Sequence, residues 1–231
     1  KNVVVKGDFM YYPMDLPYTD VIPNRGNMLK QYAELANFNK WLIRWADTKK
    51  YDFVIIARLS REKNIPLFLD LLKNMNDNLA RKYNALIVGK GPEKKNIEDI
   101  IFKKGLSDNV ILLDWIKREE LPEVYDSGKC FVISSYHEGF ATTILESHAR
   151  GVPGIVTKSS GFCREFVEKF NDETGITFES EDLNDQKFYY NLAKFIDDYK
   201  YYEQKCITKA KIFSEKNVFE PILKTLKWNI L

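Results

Sequence analysis

The sequence predicts an α/β domain, a mostly parallel sheet with helices on both faces. Short β-rich apolar runs recur from Tyr51 onward, helix-periodic segments alternate with them, and polar loops rich in cations and glycine follow the runs. Parallel strands need crossovers, and crossover helices must pack on the sheet, so the layout is Rossmann-like.

Taken in order, Phe53 to Ala57, Ala85 to Val88, Val110 to Leu113, Cys130 to Ser134, Gly154 to Thr157 and Gly175 to Phe178 read as strands. Between the first two, Leu67, Phe68, Leu71, Leu72 and Met75 recur with helical spacing, which predicts a helix over 65–75 with a core-facing stripe. Residues 51–182 form the predicted ligand-binding domain. Residues 1–50, with Pro13, Pro17, Pro23 and a turn at Asn24-Arg25-Gly26-Asn27, read as a connector or the remnant of a preceding domain. Residues 183–231 read as a helical tail completing the domain, with helices expected over Phe188 to Ile196, Tyr201 to Phe213 and Val218 to Trp228.

Composition narrows the function classes. The chain has 231 residues, of which 45% are hydrophobic and 29% charged, enough for a packed core and too apolar for disorder. Thirty-five Lys and Arg against 33 Asp and Glu give a net charge of +2, which does not point to a nucleic-acid partner. Cys130, Cys163 and Cys206 are widely spaced and suggest neither a disulfide framework nor a zinc site, so a reducing, cytoplasmic setting is expected. No apolar run approaches the roughly 20 residues that span a bilayer.

In an open α/β sheet the ligand lies beyond the carboxyl ends of the strands. The predicted crevice is therefore lined by the loops after Ala57, Val88, Leu113, Ser134 and Thr157. The first of these loops carries Arg58 and Lys63, a guanidinium fork and a mobile ammonium suited to a diphosphate, although a solvated charged loop would look the same. Gly89-Lys90-Gly91-Pro92 forms a tight turn after the second strand; it matches neither G-x-G-x-x-G nor the Walker A pattern, which disfavours NAD and a P-loop ATPase. After the fourth strand comes Glu138-Gly139-Phe140-Ala141-Thr142-Thr143-Ile144-Leu145-Glu146: a carboxylate, a glycine turn, a helix start and a second carboxylate. Unpaired amides at such a helix start suit an anionic or polyhydroxylated ligand. Thr143-x-x-Glu146 also fits a capping box, so these residues alone leave Glu146 open between ligand and cap. His137 beside Glu138 could touch a ligand, while His148 is expected to be packing or surface. The two histidines make no metal site, and Asp-x-Asp is missing, so no metal or other cofactor is expected.

Together these blocks resemble the carboxyl-terminal, donor-binding domain of GT-B fold glycosyltransferases, specifically the large retaining family 4 with its E-x7-E motif. The similarity covers roughly residues 20 to 180. It rests on Val21-Ile22-Pro23-Asn24, on Arg58-Leu59 with Glu62-Lys63 (where Ala57 and Asn64 replace glycines), and on Leu86 to Pro92. Val110 to Ile116 (where Asp114 replaces a glycine), Ser134 through Glu146 with Ala149 to Pro153, and Ser159-Ser160-Gly161 with Glu165 complete it. The resemblance implies that Arg58 and Lys63 bind the donor diphosphate and that Glu138 positions the donor sugar, these three forming the catalytic set. It further implies backbone contacts from Gly139, Phe140, Ala141, Thr142 and Thr143, ribose recognition by Glu146, and nucleotide contacts at Gly89 and Ile116. One oxygen of Glu146 could then serve the ribose while the other caps the helix.

The expected activity is metal-free, retaining transfer from a UDP- or GDP-linked sugar to a glycan or lipid-linked acceptor, as in polysaccharide biosynthesis. An amino-terminal acceptor-binding domain is needed in cis or in trans, and a peripheral contact with the cytoplasmic membrane face is compatible with the resemblance. The alternatives are a non-catalytic nucleotide-sugar or glycan-binding module, or an epimerase or phosphorylase on the same fold.

Overall fold

A computed structural model describes residues 49–170, 173–214 and 217. The connector reading of 1–48 and the last predicted helix, Val218 to Trp228, lie outside the described residues.

Six strands form one sheet: β1 (Tyr51–Ile56), β2 (Ala85–Val88), β3 (Val110–Leu113), β4 (Gly128–Ile133), β5 (Gly154–Thr157) and β6 (Gly175–Phe178). Every neighbouring pair is parallel, in the order β3-β2-β1-β4-β5-β6. Four strands keep their predicted bounds. β1 and β4 begin two residues earlier than expected, because Tyr51 pairs with Gly128 at the sheet's lower edge. Gly128 is needed there, since a Cβ on it would stand 2.3 Å from the Val54 side chain.

Alternate strand residues feed two cores, as expected of a sheet buried on both sides. Phe53, Ile55, Ile87, Cys130, Val132 and Ile155 face one core. It is closed by α1 (Ile65–Asn78), α2 (Lys94–Lys103) and α6 (Gln186–Asp197). Val54, Val88, Phe131, Ile133 and Val156 face the other. It is closed by α3 (Leu121–Ser127), α4 (Thr142–Ala149), α5 (Phe162–Glu168) and α7 (Tyr199–Ile212). The two described tail helices pack one on each face of the sheet. None of the described helices is long and apolar enough to cross a membrane.

Two buried polar arrangements hold the second layer. Arg150, fully buried after α4, donates from Nε to Asp126 Oδ1 at 2.9 Å and from Nη2 to Oδ2 of the same carboxylate. This fork ties α4 to the end of α3 in a fixed plane. His148 is buried against the Phe166 ring, and its Nε2 lies 2.9 Å from the Thr174 hydroxyl. Burial, and then the positive charge of Lys209, push its pKa down to about 3.

Removing one partner of a buried ion pair strands the other. Arg150→Met is expected to lower the unfolding free energy by about 3–5 kcal/mol in urea titrations, and adding Asp126→Leu should return much of that loss. His148 stays neutral in the native chain, whereas an unfolded histidine takes up a proton near pH 6.5. Its contribution is therefore whole above that pH and is lost as pH falls toward about 3. In His148→Gln the slope of stability against pH over this window should fall by about one proton, read from urea midpoints at stepped pH.

Candidate functional site

The crevice opens where β1 and β4 lie side by side and their chains leave toward opposite edges of the sheet. The β1 loop runs through Arg58, Leu59 and Ser60 into a single 3-10 turn, Arg61–Lys63. Asn64 then adopts the left-handed conformation, φ 44° and ψ 43°. Asparagine is the residue that best replaces glycine in that region, so the missing glycine at 64 leaves the turn intact. Glycine does matter at the neighbouring β2 loop. A Cβ on Gly89 would stand 1.8 Å from the Ala57 carbonyl oxygen, and one on Gly91 2.1 Å from that of Leu59. These two glycines let the β1 and β2 loops lie in contact, reinforced by Leu59 N–H to Lys90 O at 2.8 Å.

The β4 loop is stitched to the β1 loop across the crevice floor. Tyr136 N–H donates to Glu62 O at 2.9 Å, and the Ser134 hydroxyl donates to Lys63 O at 2.8 Å. Lys63 Nζ forms an ion pair with Glu138 Oε1, and the Ser135 hydroxyl donates to the same oxygen at 3.0 Å. The two side chains are only 14% and 9% exposed, so the pair sits at the base of the site rather than on a screened surface. The expected phosphate cation and the expected sugar carboxylate are thus brought together. Arg58 is exposed, its carbonyl accepts from Ser60 N–H at 2.9 Å, and its side chain forms no hydrogen bond or salt bridge among the described residues, although its charge reaches Glu62. His137 is exposed beside Glu138.

The leading turn of α5 holds the Glu138 loop from behind. Gly161 has φ +50°, and a Cβ on it would meet the Glu138 carbonyl oxygen at 2.2 Å. Phe162 N–H donates to Gly139 O at 3.1 Å, and Cys163 Sγ accepts the Ala141 N–H at 3.2 Å. The Phe140 ring turns inward, 5.0 Å from the Phe162 ring and 5.5 Å from that of Phe166, so Phe140 anchors the loop. Ala141 thereby spends its amide on Cys163, and Ile144 N–H donates to Ala141 O at 3.1 Å. Among the described residues no acceptor reaches the amides of Thr142 and Thr143, the first two residues of α4. Gly139 is exposed, with nothing within 4 Å of where its Cβ would stand. Ile116 is half-buried at the edge of the second core, below the exposed Trp115.

The capping box does not form. α4 starts at Thr142 with Ala141 as its N-cap and no side-chain cap, which puts Thr143 inside the helix. Glu146 instead accepts a 2.7 Å hydrogen bond from the Tyr125 hydroxyl of α3. Burial raises the Glu146 pKa, opposed by the Tyr125 bond and by the charge of Arg118. Tyr125 was not among the sequence candidates, since a tyrosine in a short apolar helix carries no local sign of a partner 21 residues on. Asp114, in place of the expected glycine, accepts from Lys94 Nζ at 2.7 Å. Among the described residues no group of three or more His, Cys, Asp or Glu side chains could hold a metal ion.

A six-stranded parallel sheet of this order with helices on both faces is the fold of one GT-B glycosyltransferase half, and solved structures agree. The pneumococcal O-GlcNAc transferase GtfA, crystallised with UDP and GlcNAc, superposes with a TM-score of 0.64 at 22% identity over 80% of this chain and 37% of its own. Sucrose-phosphate synthase from Thermosynechococcus elongatus gives 0.62 at 21% identity over 83% of this chain and 48% of its own. The model of the family glycosyl transferases group 1 matches residues 40–213, and the chain belongs to that family. Among relatives, the Escherichia coli UDP-Gal:alpha-D-GlcNAc-diphosphoundecaprenol alpha-1,3-galactosyltransferase is 29% identical over 77% of this chain. Mannosylfructose-phosphate synthase of Agrobacterium fabrum is 34% identical over 61%. The matches span only 45% and 29% of those two proteins' lengths.

Gly161→Ala combines a left-handed φ with a clash against the Glu138 carbonyl. It is expected to cost about 1–3 kcal/mol of stability in denaturant titration and to broaden or shift the amide resonances of Glu138 to Ala141.

Proposed function

We propose that this chain is the donor-binding part of a glycosyltransferase. It would bind a nucleoside diphosphate sugar and, with an acceptor-binding domain in cis or in trans, transfer the sugar with retention to a glycan or lipid-linked acceptor. The observation that carries this reading is the convergence at the β1/β4 switch point. Among the described residues the Arg58 side chain makes no salt bridge and no acceptor reaches the amides of Thr142 and Thr143; the Lys63–Glu138 pair forms the base, and α4, which these amides open, carries Glu146 one turn further on. Two cations and a helix start suit a diphosphate, and two carboxylates suit the hydroxyls of a sugar and a ribose.

On this reading the diphosphate draws Lys63 from Glu138, which frees the carboxylate to accept from the donor sugar. As the bond from the anomeric carbon to the diphosphate breaks, Arg58, Lys63 and the helix amides take up the charge developing on the leaving oxygen. The acceptor hydroxyl attacks on the face the diphosphate leaves, its proton passing to the leaving phosphate oxygen, and Glu138 positions the sugar through hydrogen bonds without forming a covalent bond to it. No metal is needed for charge that these groups neutralise. A lipid-linked acceptor is in keeping with the relative named as a galactosyltransferase of GlcNAc-diphosphoundecaprenol, and such an acceptor would bring the protein to the cytoplasmic membrane face.

Calorimetry against UDP, GDP and ADP and then their sugars tests the reading directly, and failure of all three nucleotides to bind would sink it. Glu146→Ala should lose about 1.5–3 kcal/mol of affinity for the preferred nucleotide, the worth of a hydrogen bond to a charged group. Incubation with donor should leave no glycosyl adduct on Glu138 by intact-mass spectrometry. Turnover of radiolabelled donor onto an acceptor should require the added acceptor-binding domain; its absence even then would favour a non-catalytic binding module.

A further inference from the structure

We propose that Tyr125 is a positioning residue for nucleotide recognition, holding one oxygen of Glu146 so that the other is presented to the ribose. The proposal rests on the donor-site reading above and adds to it a residue outside the E-x7-E segment.

Tyr125 lies in the middle of α3, fully buried, its ring 5.3 Å from that of Phe131 on β4. From there its hydroxyl reaches Glu146 Oε2 at 2.7 Å. A carboxylate on a helix turns freely about its last torsion unless something fixes it. The expected fixture was the helix cap, and that cap is not made. The Tyr125 hydroxyl takes its place, coming from a different helix on the same face of the sheet. Because a buried phenol must find an acceptor and Glu146 Oε2 supplies it, the geometry is enforced from both sides. Among the described residues Oε1 accepts no hydrogen bond, which leaves it for a ligand.

The charge state of Glu146 follows from the same contact. Burial favours its neutral form, while the Tyr125 bond and the more distant Arg118 favour the carboxylate. Arg118, exposed in the 3-10 turn Arg118–Glu120, and Tyr125 are the ionisable groups whose influence reaches Glu146. A ribose hydroxyl is bound best by the ionised form. Removing the phenol hydroxyl should raise the Glu146 pKa, so loss of affinity on acidification should begin at higher pH.

The test compares the whole chain with Tyr125→Phe, Glu146→Ala and the double variant, by calorimetry against UDP, GDP and ADP between pH 5 and 8. Tyr125→Phe keeps the ring and its packing. It should weaken the preferred nucleotide about tenfold at neutral pH, the worth of one hydrogen bond to a charged group. Its affinity should also fall at higher pH than in the parent chain, and the double variant should bind no worse than Glu146→Ala alone. Parental affinity and pH profile in Tyr125→Phe, or losses that simply add in the double variant, would overturn the proposal. Carboxyl NMR titration of Glu146 in the parent and in Tyr125→Phe is a readout that needs no ligand. An upward shift supports the contact and an unchanged titration overturns it. If no nucleotide binds the parent chain, the donor-site reading falls with the nucleotide role of Tyr125, while the titration still judges the Tyr125–Glu146 contact by itself.

Discussion

The pairing of β1 with β4 is the constraint on which the rest depends. These strands are neighbours in the sheet although two other strands lie between them in sequence, so the chain leaves β1 toward one edge and β4 toward the other. Their loops diverge, and a crevice opens between them with no insertion to shape it. Every residue of the proposed donor site stands on, or is braced by, the loops and helices that flank this divergence. Moving β4 elsewhere in the order would separate Lys63 from Glu138 and leave a buried ammonium and a buried carboxylate each without its partner.

Electrostatics and backbone geometry divide the work. The ion pair at the base sets the resting state, in which Lys63 and Glu138 neutralise each other in little water. The loops set distance: Gly89 and Gly91 permit the β1 and β2 loops to touch, and Gly161 permits α5 to press on the Glu138 loop. A ligand must therefore offer both an anion for Lys63 and donors for Glu138 to replace what it disrupts. On the proposed reading, a nucleoside diphosphate sugar carries both.

Much of this was legible in the sequence. The strands were readable because each is a short apolar run bounded by polar loops, and four kept their limits. The two central strands were read short at their beginnings, where Tyr51 and Gly128 look like loop residues until they pair with each other. Arg58, Lys63, Glu138 and Glu146 stood out by their place at strand ends and at a helix start, yet a solvated loop or a helix cap fitted them equally until the ordered blocks were taken together. The capping-box alternative fails for a physical reason: spacing alone does not say which residue is the N-cap, and α4 starts two residues earlier than that motif requires. The roles of Tyr125 and Cys163 were illegible, since the contacts that define them reach distant segments. Local pattern carries no trace of such contacts.

The three cysteines give the native protein a built-in silence. Cys130, Cys163 and Cys206 are free thiols buried in the described fold. Burial pushes Cys163 up to about 12 and the other two higher, so hardly any thiolate exists near neutrality. Alkylating reagents meet no nucleophile until the packing opens. Because the three lie on β4, α5 and α7, their labelling under pulse conditions acts as a clock for separate parts of the molecule. Partial opening at α7 would register on Cys206 before the sheet centre gave up Cys130.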